Sequence, residues 1–457
     1  MSSQVPAGWR LVSLGELGNL ATSSVDKLTS DDEQPVRLVN YMDVYSRRFI
    51  DRGMQFQVVT ASKDEVVRFQ VQQGDILFTP SSETPDDIGH SAVVVDALPD
   101  TVHSYHTVRL RVRDDAELDL RFRGWVANNE VVRRYLAQCA TGSTRYTLSL
   151  GRLGSAIVAL PPLAQQKRIA EILSTVDEAI EETEKLIAKH QQIKSGLMHD
   201  LFTRGLTPDG QLRPPHTEAP HLYKDSPLGP IPNEWEVDSA AKLTTKITKG
   251  TTPPDLVGEE LRGFVPYIRV QNLSFDGSLD FLTDRAFVER SVHAHELARS
   301  VVYPGDILIN IVGPPLGKVS LVPDSYPEWN INQAVAVFRL RDPGLSSYVS
   351  SFLLSEESQK WFARRAKRTS GQVNLTLQLC QDLPIPIPQR SSEFNLITDA
   401  LRTIDASIHT ERECLEKLRN EKRGLMSDLL TGKVDVAVPR ESVREPSIPT
   451  ADEQAGG

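Results

Sequence analysis

Lys194-Ser195-Gly196-Leu197-Met198-His199-Asp200-Leu201-Phe202-Thr203 returns further along the chain as Lys422-Arg423-Gly424-Leu425-Met426-Ser427-Asp428-Leu429-Leu430-Thr431. Gly196 and Gly424 stand 228 positions apart, and so do Asp177 and Asp405, so the segments that precede the two copies are in register. The stretch is one end of a duplicated unit. A search for one site becomes a search for two related sites.

Working back from the first copy, Ile169, Leu173, Val176, Ile180, Ile187, Leu197 and Leu201 recur at alternating spacings of three and four, a stripe that predicts a long helix. Thr183, His190 and Lys194 are its polar members; Pro161-Pro162 suits its start, and Gly205 followed by Pro208 its exit. The second helix, from about Glu393 to Thr431, carries Phe394, Ile397, Leu401, Ile404, Ile408, Leu415, Leu418, Leu425 and Leu429 on a seven-residue repeat. Its polar interruptions, Glu411 and Lys422, fall at the repeat positions of Thr183 and Lys194. Each stripe alone fits a helix lying on its own domain. Two stripes in register, interrupted at matching places, favour mutual packing with a specified register. A mid-helix glycine costs about 1 kcal/mol relative to alanine, so Gly196 and Gly424 predict a close helix contact that offsets the cost.

The repeat extends beyond the helices. Val5-Pro6-Ala7-Gly8-Trp9 parallels Ile231-Pro232-Asn233-Glu234-Trp235, and Gly74-Asp75-Ile76-Leu77 parallels Gly305-Asp306-Ile307-Leu308. Between them, Val36-Arg37-Leu38-Val39-Asn40 resembles Ile268-Arg269-Val270-Gln271-Asn272. Drifting offsets are what loop insertions between two copies of one fold produce. Short alternating runs such as Gln55–Val59, Ile76–Phe78 and Ala92–Val95 predict a mainly β globule, with a helical patch at Trp125–Gln138 carrying Val126, Val131, Val132, Tyr135 and Leu136. The organisation expected is a first domain over 1–160, a long helix over 161–205 and a proline-rich linker over 206–232. A second domain then covers 233–390, a second long helix 391–432, and a polar, disordered tail 433–457.

With 457 residues, 39% hydrophobic and 25% charged, the chain has length for about three domains of ordinary globular character. Its net charge of -10 argues against a protein that coats nucleic acid unaided but leaves room for local basic faces. No charged leader with an apolar core opens the sequence, and no apolar run reaches about eighteen residues, so a cytoplasmic protein without a membrane contact is expected. Cys139, Cys380 and Cys414 are odd in number and far apart, which supports neither a disulfide framework nor a zinc knuckle.

Nothing in the sequence assembles a reaction centre. The dinucleotide pattern Gly-x-Gly-x-x-Gly is missing. Gly313-Pro314-Pro315-Leu316-Gly317-Lys318 has its first glycine too close, Val319 where a hydroxyl is required, and two prolines in place of amide donors. His293-Ala294-His295-Glu296 lacks the i, i+4 histidine pair that brings two ligands to one metal. No Asn/Asp-Pro-Pro-aromatic stretch marks an amino-methyltransferase; Thr251-Thr252-Pro253-Pro254 has the wrong neighbours. What recurs is polar and basic. Thr79-Pro80-Ser81-Ser82-Glu83-Thr84 and Asn310-Ile311-Val312-Gly313 follow matching strands, and loops of this kind either are plain surface turns or carry hydroxyls and amides to base edges. Arg121, Arg123, Arg133, Arg134 and Arg145 cluster late in the first copy, and Lys360, Arg364, Arg365, Lys367 and Arg368 late in the second. Each cluster lies near a turn, Thr141-Gly142-Ser143-Thr144 or Thr369-Ser370-Gly371-Gln372. Such runs are either solvated faces or phosphate contacts.

These residues resemble the DNA-specificity subunit of type I restriction-modification enzymes, over nearly the whole chain. The resemblance rests on Tyr223-Lys224-Asp225-Ser226-Pro227-Leu228-Gly229-Pro230-Ile231-Pro232 with Trp235, on Leu160-Pro161-Pro162-Leu163-Ala164-Gln165-Gln166-Lys167-Arg168-Ile169, and on the two Gly-Leu-Met-x-Asp-Leu helix ends. The second helix departs from the Pro-x-x-x-Gln-Gln start, having Pro388-Gln389-Arg390-Ser391-Ser392-Glu393. The resemblance implies an α+β fold: two mainly β target-recognition domains with α-helices, each followed by a long helix, the two helices pairing as an antiparallel coiled coil in a pseudo-twofold duplication. It implies a non-catalytic subunit that carries no cofactor or metal of its own. Its partners would be double-stranded DNA, two modification subunits that carry S-adenosylmethionine and methylate adenine, and restriction subunits with motor and nuclease activity that use ATP and Mg. Each domain would read one half of an asymmetric bipartite target within phage defence. About forty helical residues span roughly 60 Å, enough to hold two readers about one 34 Å turn of DNA apart.

On this reading the DNA contacts expected are Arg37, Asn40, Thr79, Ser81, Ser82, Arg145 and Tyr146 in the first copy, and Arg269, Gln271, Asn272, Asn310, Lys318, Arg368, Gln372 and Asn374 in the second. The helix-packing residues expected are Ile169, Leu173, Val176, Ile180, Ile187, Leu197 and Leu201 against Ile397, Leu401, Ile404, Ile408, Leu415, Leu418, Leu425 and Leu429. Rival readings are a divergent nuclease or methyltransferase, a repeat adaptor that binds only proteins, and a specificity subunit serving a fused methyltransferase-nuclease of another restriction type.

Overall fold

A computed structural model describes residues 6–114, 117–313, 315–369 and 372–437. Packing divides the chain into two units, one of Met1–Glu182 with Leu415–Gly457 and one of Thr183–Cys414. The division falls inside both long helices, Leu163–Thr203 and Ser391–Leu429, instead of at the helix ends where the sequence boundaries were drawn. The reason lies in what each half-helix buries. In unit 1, Ile169 and Leu173 share a core with Leu429, Leu430 and Val436. In unit 2, Met198, Leu201 and Phe202 share one with Ile397 and Leu401.

Both units fold to one plan. In unit 1, strands Gly18–Thr22, Val108–Val112, Ile76–Phe78 and Ser91–Val94 lie side by side and antiparallel, with Phe49–Ile50 added parallel at the edge. In unit 2 the same order is met by Thr244–Lys249, Val335–Leu340, Ile307–Asn310 and Val319–Leu321. A second sheet holds a parallel pair in each unit, Gln34–Val39 with Thr101–His103 and Phe264–Ile268 with Trp329–Ile331. A two-stranded ribbon joins the first strand of each unit to the strand before the long helix, Arg10–Ser13 with Ile157–Leu160 and Trp235–Ser239 with Pro384–Pro388. The fold is α+β with an internal duplication.

Strands form at Ile76–Phe78 as expected, at Ser91–Val94 one residue earlier than expected, and at Gln57–Ala61 two residues later than the run Gln55–Val59. The helical patch becomes two helices, Arg123–Val126 and Glu130–Cys139, in which Val132 and Leu136 are buried but Val131 is 61% exposed. One repeat match shifts register. The strand Phe264–Ile268 ends at Arg269, whose backbone N–H donates to Asn272 Oδ1 at 2.8 Å. The strand Gln34–Val39 ends at Asn40, whose N–H donates to Asp43 Oδ2 at 2.8 Å. Arg269 and Asn272 therefore stand where Asn40 and Asp43 do, not where Arg37 and Asn40 do; the Arg-x-x-Asn likeness of the two strings is three residues out of phase with the fold.

The long helices run antiparallel within unit 2, where His190 Nδ1 meets Glu411 Oε1 at 2.7 Å and Lys194 Nζ meets Asp405 Oδ1 at 2.6 Å. In unit 1, Lys422 pairs with Asp177. Since Asp405 and Lys422 stand 228 positions beyond Asp177 and Lys194, the two Lys–Asp pairs are copies of one another. His190–Glu411 has no ionic copy, its repeat positions being Leu418 and Thr183. All the stripe residues named above are buried or half-buried. The expected close contact at Gly196 and Gly424 is not made: a Cβ at either would meet nothing within 4 Å, so both glycines face open space.

Helix exits are copied too. Gly205 has φ of +61° and lies against Trp235; Gly432 has φ of +71° and lies against Trp9. Both need the left-handed conformation and the absent side chain at once. The proline-rich stretch packs on unit 2: Leu206 and Arg213 are buried, and Tyr223–Lys224 pairs with Ile231–Pro232. Residues 433–437 stay on unit 1, with Val436 buried and Asp435 Oδ1 accepting from Gln165 Nε2 at 2.9 Å; the rest of the expected tail, 438–457, lies outside the described residues. All three cysteines are free.

Candidate nucleic-acid interface

The loops singled out in the sequence are fixed from below by copied polar contacts. Asp75 accepts the N–H of Gln72 at 2.8 Å and the Arg111 guanidinium at 2.7 and 2.9 Å. Asp306 accepts the N–H of Tyr303 at 2.8 Å and Arg339 at 2.7 and 3.0 Å. At the far end of each strand, Thr79 Oγ1 accepts the N–H of His90 at 3.0 Å and Asn310 Oδ1 accepts that of Lys318 at 2.8 Å. A buried polar group whose hydrogen bonds are satisfied internally costs little to keep and holds its loop in one conformation. Thr79 and Asn310, both fully buried, thus serve the loops from inside.

Other expected contacts are also engaged within the fold. Arg37 donates to the Pro99 carbonyl, and Asn40 caps the short helix Tyr41–Tyr45. Asn272 donates to the carbonyls of Asp280 and Asp284, both at 2.8 Å, while Arg269 pairs with Asp284. Lys318 Nζ donates to the Val270 carbonyl at 3.3 Å and lies 5.8 Å from the centre of the exposed Phe275 ring. Gln271 is exposed and Asn374 half-buried. The side chains of Arg368 and Gln372 lie outside the described residues.

In unit 1 the structure does bring several of the expected residues together. Ser81–Ser82 pairs with Tyr146–Thr147, and Arg145 Nη2 donates to Ser81 Oγ at 3.1 Å. Around them stand side chains that the sequence reading passed over. Tyr41 and Tyr45 stack with centroids 5.7 Å apart, His90 tilts onto Tyr45 at 4.5 Å, and Asp87 Oδ2 accepts from Tyr45 Oη at 3.1 Å. His90 Nε2 lies 2.9 Å from Asp87 Oδ1. Burial pushes the Tyr41 phenol above its ordinary pKa, with the Asp87 charge adding to it; the Asp87 hydrogen bond is the main cause of the same direction at Tyr45. Both phenols remain neutral donors at physiological pH. The signal available in the sequence was Asn40 followed by Tyr41-x-x-x-Tyr45, a capped turn placing two aromatics on one face.

The matching strand pair of unit 2 is Val312–Gly313 with Gln372–Asn374, extended by Lys367–Thr369. Among the described side chains there, Lys367 and Asn374 stand where unit 1 has Tyr146, His90 and Arg145 beside its own pair. Flat aromatic faces and guanidinium forks suit bases and phosphates, and amides suit base edges. No metal was expected here; His199, Glu356 and Glu357 do converge, with ligand atoms within 4.8 Å of one another, and His199 Nδ1 lies 2.8 Å from Glu357 Oε1.

Two α+β units of one plan, with differing polar faces on copied frameworks, define a duplicated recognition protein. Comparison with known proteins places it. Residues 6–191 match the type I restriction modification DNA specificity domain. The chain is 22% identical over 438 residues to the type I restriction enzyme MjaVIII specificity subunit of Methanocaldococcus jannaschii, covering 95% of this chain and 94% of that one. It is 23% identical over 441 residues to the putative MjaX specificity subunit of the same organism, covering 95% of each. The crystal structure of the type I restriction-modification S subunit from M. genitalium superposes with a TM-score of 0.52 over 96% of this chain and 98% of that one, at 15% identity. Residues 6–191 thus carry the type I specificity domain, and nearly the whole chain is similar to type I specificity subunits.

Proposed function

We propose that each unit of this specificity subunit reads one half of an asymmetric, bipartite DNA target, and that the paired long helices set the spacing and dock two modification subunits. The chain itself is non-catalytic. S-adenosylmethionine is held by the modification subunits and ATP with Mg by the restriction subunits, which join for cleavage, and the assembly works in the cytoplasm. Among the described residues no helix is long and apolar enough to cross a membrane. The observation that carries the reading is the contrast between copied supports, Asp75–Arg111 and Asp306–Arg339, and uncopied faces, Ser81–Ser82 against Val312–Gly313. Two frameworks held alike and faced differently are what two unlike half-sites require.

Of the contacts expected from the sequence, Arg145 and Tyr146, which stand on the buried Ser81–Ser82 strand, are those we assign to the first half-site, joined by Tyr41, Tyr45 and His90; Ser81 and Ser82 support them from inside, and Gln271, Lys318 and Asn374 are assigned to the second. Methylome sequencing of cells carrying an exchange of residues 1–160 for another family member's domain should show one half-site replaced and the other retained. Replacement of both halves would sink the modular reading. Removing one turn from either long helix should alter or abolish the recognised spacing, and an unchanged site would refute the ruler.

A further inference from the structure

Unit 1 holds a groove of about 810 Å³ between the short helix Glu130–Cys139 and the end of the second long helix. Arg133, Arg134, Arg419, Lys422 and Arg423 line it against only Asp86 and Glu130, in a chain whose overall charge is -10. Some of these charges are balanced locally. Lys422 pairs with Asp177, Arg134 with Glu130, and Arg419 Nη1 lies 2.8 Å from Glu416 Oε1. Arg134 and Glu130 remain 68% and 73% exposed, so solvent screens that pair and leaves the arginine able to change partner. Arg133 donates to the Asp86 carbonyl at 3.4 Å, and Arg423 is exposed.

The groove opens beside the reading face. Asp86, on its rim, precedes Asp87, which holds Tyr45 and His90. Arg133 lies close enough to Tyr45 for its charge to act on the phenol. A strand of DNA whose bases meet Tyr41, Tyr45 and Arg145 would therefore carry its next phosphates toward Arg133 and on to the long helix.

Unit 2 has the same groove, of about 710 Å³, with different chemistry. By the 228-position repeat, Arg419 and Arg423 become Gln191 and Ser195, and the lining adds Ser347, Ser350 and Glu356. Its basic side chains, Lys194, Arg412 and His409, are each held by a carboxylate: Lys194 by Asp405, with the Asp276 carbonyl at 3.0 Å, Arg412 by the Asp276 side chain, and His409 by Glu413.

We propose that the unit 1 groove grips the phosphate backbone flanking the first half-site, and that its counterpart in unit 2 does not. The inference rests on the DNA-reading role and adds to it an asymmetry between two matching grooves: that of unit 1 anchors the duplex and that of unit 2 does not.

The test uses the full complex with its modification subunits, binding a fluorescent duplex that contains the methylated sequence, between 50 and 200 mM KCl. Because each neutralised phosphate contributes a slope of about 0.9 to the fall of log K with log[salt], the Arg133→Gln/Arg419→Gln/Arg423→Gln variant should lose about two to three from that slope. Arg423→Gln alone, an exposed substitution, should lose about one. Both should weaken target and non-target duplexes by the same factor while the recognised sequence stays unchanged. Gln191→Ala/Ser195→Ala in unit 2 should leave the slope as it is. An unchanged slope with specific binding intact overturns the grip and leaves the recognition role standing. Loss of modification-subunit binding, with the DNA salt slope retained, overturns it in favour of a protein-docking groove. A wild-type complex that prefers no sequence overturns the recognition role itself.

Discussion

In unit 1, Trp9 donates its indole N–H to Gln165 Oε1 at 3.0 Å; in unit 2, Trp235 donates its own to Glu393 Oε1 at 3.0 Å. Gln165 and Glu393 stand 228 positions apart, so the break in the Pro-x-x-x-Gln-Gln pattern falls on a position whose acceptor role is kept. Its other partner changes with it. Gln165 gives its amide to Asp435, whereas Glu393, 2% exposed, takes both ends of Arg213 at 2.5 and 3.0 Å and the N–H of Leu206 at 2.8 Å. Donor and acceptor have been exchanged across the same joint. The difference teaches that the scaffold keeps hydrogen-bond satisfaction, not residue type: the joint of unit 1, an amide on an exposed carboxylate, tolerates solvent, and the ion pair of unit 2 is sealed.

That contrast breaks most visibly at Glu393. Glu393→Gln leaves the buried Arg213 with only the half-exposed Glu234, at 2.7 Å, as countercharge, so the loss should fall at the low end of the about 3–5 kcal/mol that removing one member of a buried pair costs. Gln165→Ala at the open joint should cost about 1 kcal/mol. Hydrogen exchange read on peptides from 391–401 and 163–173 separates the two. Replacing both partners, as Glu393→Gln/Arg213→Met, should recover much of the loss, since no unpaired charge remains. Equal losses at the two joints would show that the Glu393–Arg213 pair is not sealed.

A second difference concerns acid. His103 on the parallel strand of unit 1 is fully buried, and burial, helped by Arg109, pushes its pKa from the ordinary 6.5 down to about 3. Its repeat position in unit 2 is Ile331. Because the folded form resists a proton that the unfolded chain accepts below 6.5, stability is complete above that pH and falls as pH drops from 6.5 toward 3. At pH 5 the loss is about 2 kcal/mol, from about 1.4 kcal/mol per pH unit. In unit 2, burial also lowers the pKa of His293, but Glu328 pulls it back. Urea unfolding of the chain from pH 7 to pH 5 should show unit 1 weakening first. His103→Ile, which imports the unit 2 residue, should flatten the profile; an undiminished pH dependence in that variant would assign the acid lability elsewhere.

The sequence carried the duplication because that information is periodic. Heptad stripes, the Gly-Leu-Met ends and the Gly-Asp-Ile-Leu strands all recur at nearly constant offset, and helix pairing and strand order follow from them. What it concealed was direction. Thr79, Asn272 and Asn310 have the composition of surface readers, but each is turned inward to close a loop. Tyr41 and Tyr45 look like core aromatics until the Asn40 cap sets their helix on the face. The Arg37-x-x-Asn40 likeness to Arg269-x-x-Asn272 misled because side-chain identity slid by three positions while backbone geometry did not. Gly196 and Gly424, expected to mark a tight crossing, instead face open space near the helix ends.

The finest test of the comparison lies in the copied Lys–Asp pairs. Asp405 holds Lys194, and Asp405 itself is 44% exposed. Asp177, 26% exposed, holds Lys422 and also Arg48 Nε at 3.3 Å. Arg48 in turn lies over the buried Trp125 ring at 3.5 Å, and burial lowers its pKa against the opposing pull of Asp177. Loss of Asp177 therefore leaves two cations without a carboxylate, Lys422 and an Arg48 that keeps the Gly124 carbonyl at 3.0 Å, while loss of Asp405 leaves one, Lys194, that keeps the Asp276 carbonyl at 3.0 Å. Asp177→Ala should cost about 1–2 kcal/mol and Asp405→Ala about 0.5–1 kcal/mol. Double-mutant cycles against Lys422→Ala and Lys194→Ala, read by chemical denaturation, should give a smaller share of the Asp177 loss to Lys422 than of the Asp405 loss to Lys194, with Arg48→Ala accounting for the remainder. If Lys422 alone recovered the whole Asp177 effect, the two pairs would be energetic copies, and the added Arg48–Trp125 brace of unit 1 would carry none of its stability.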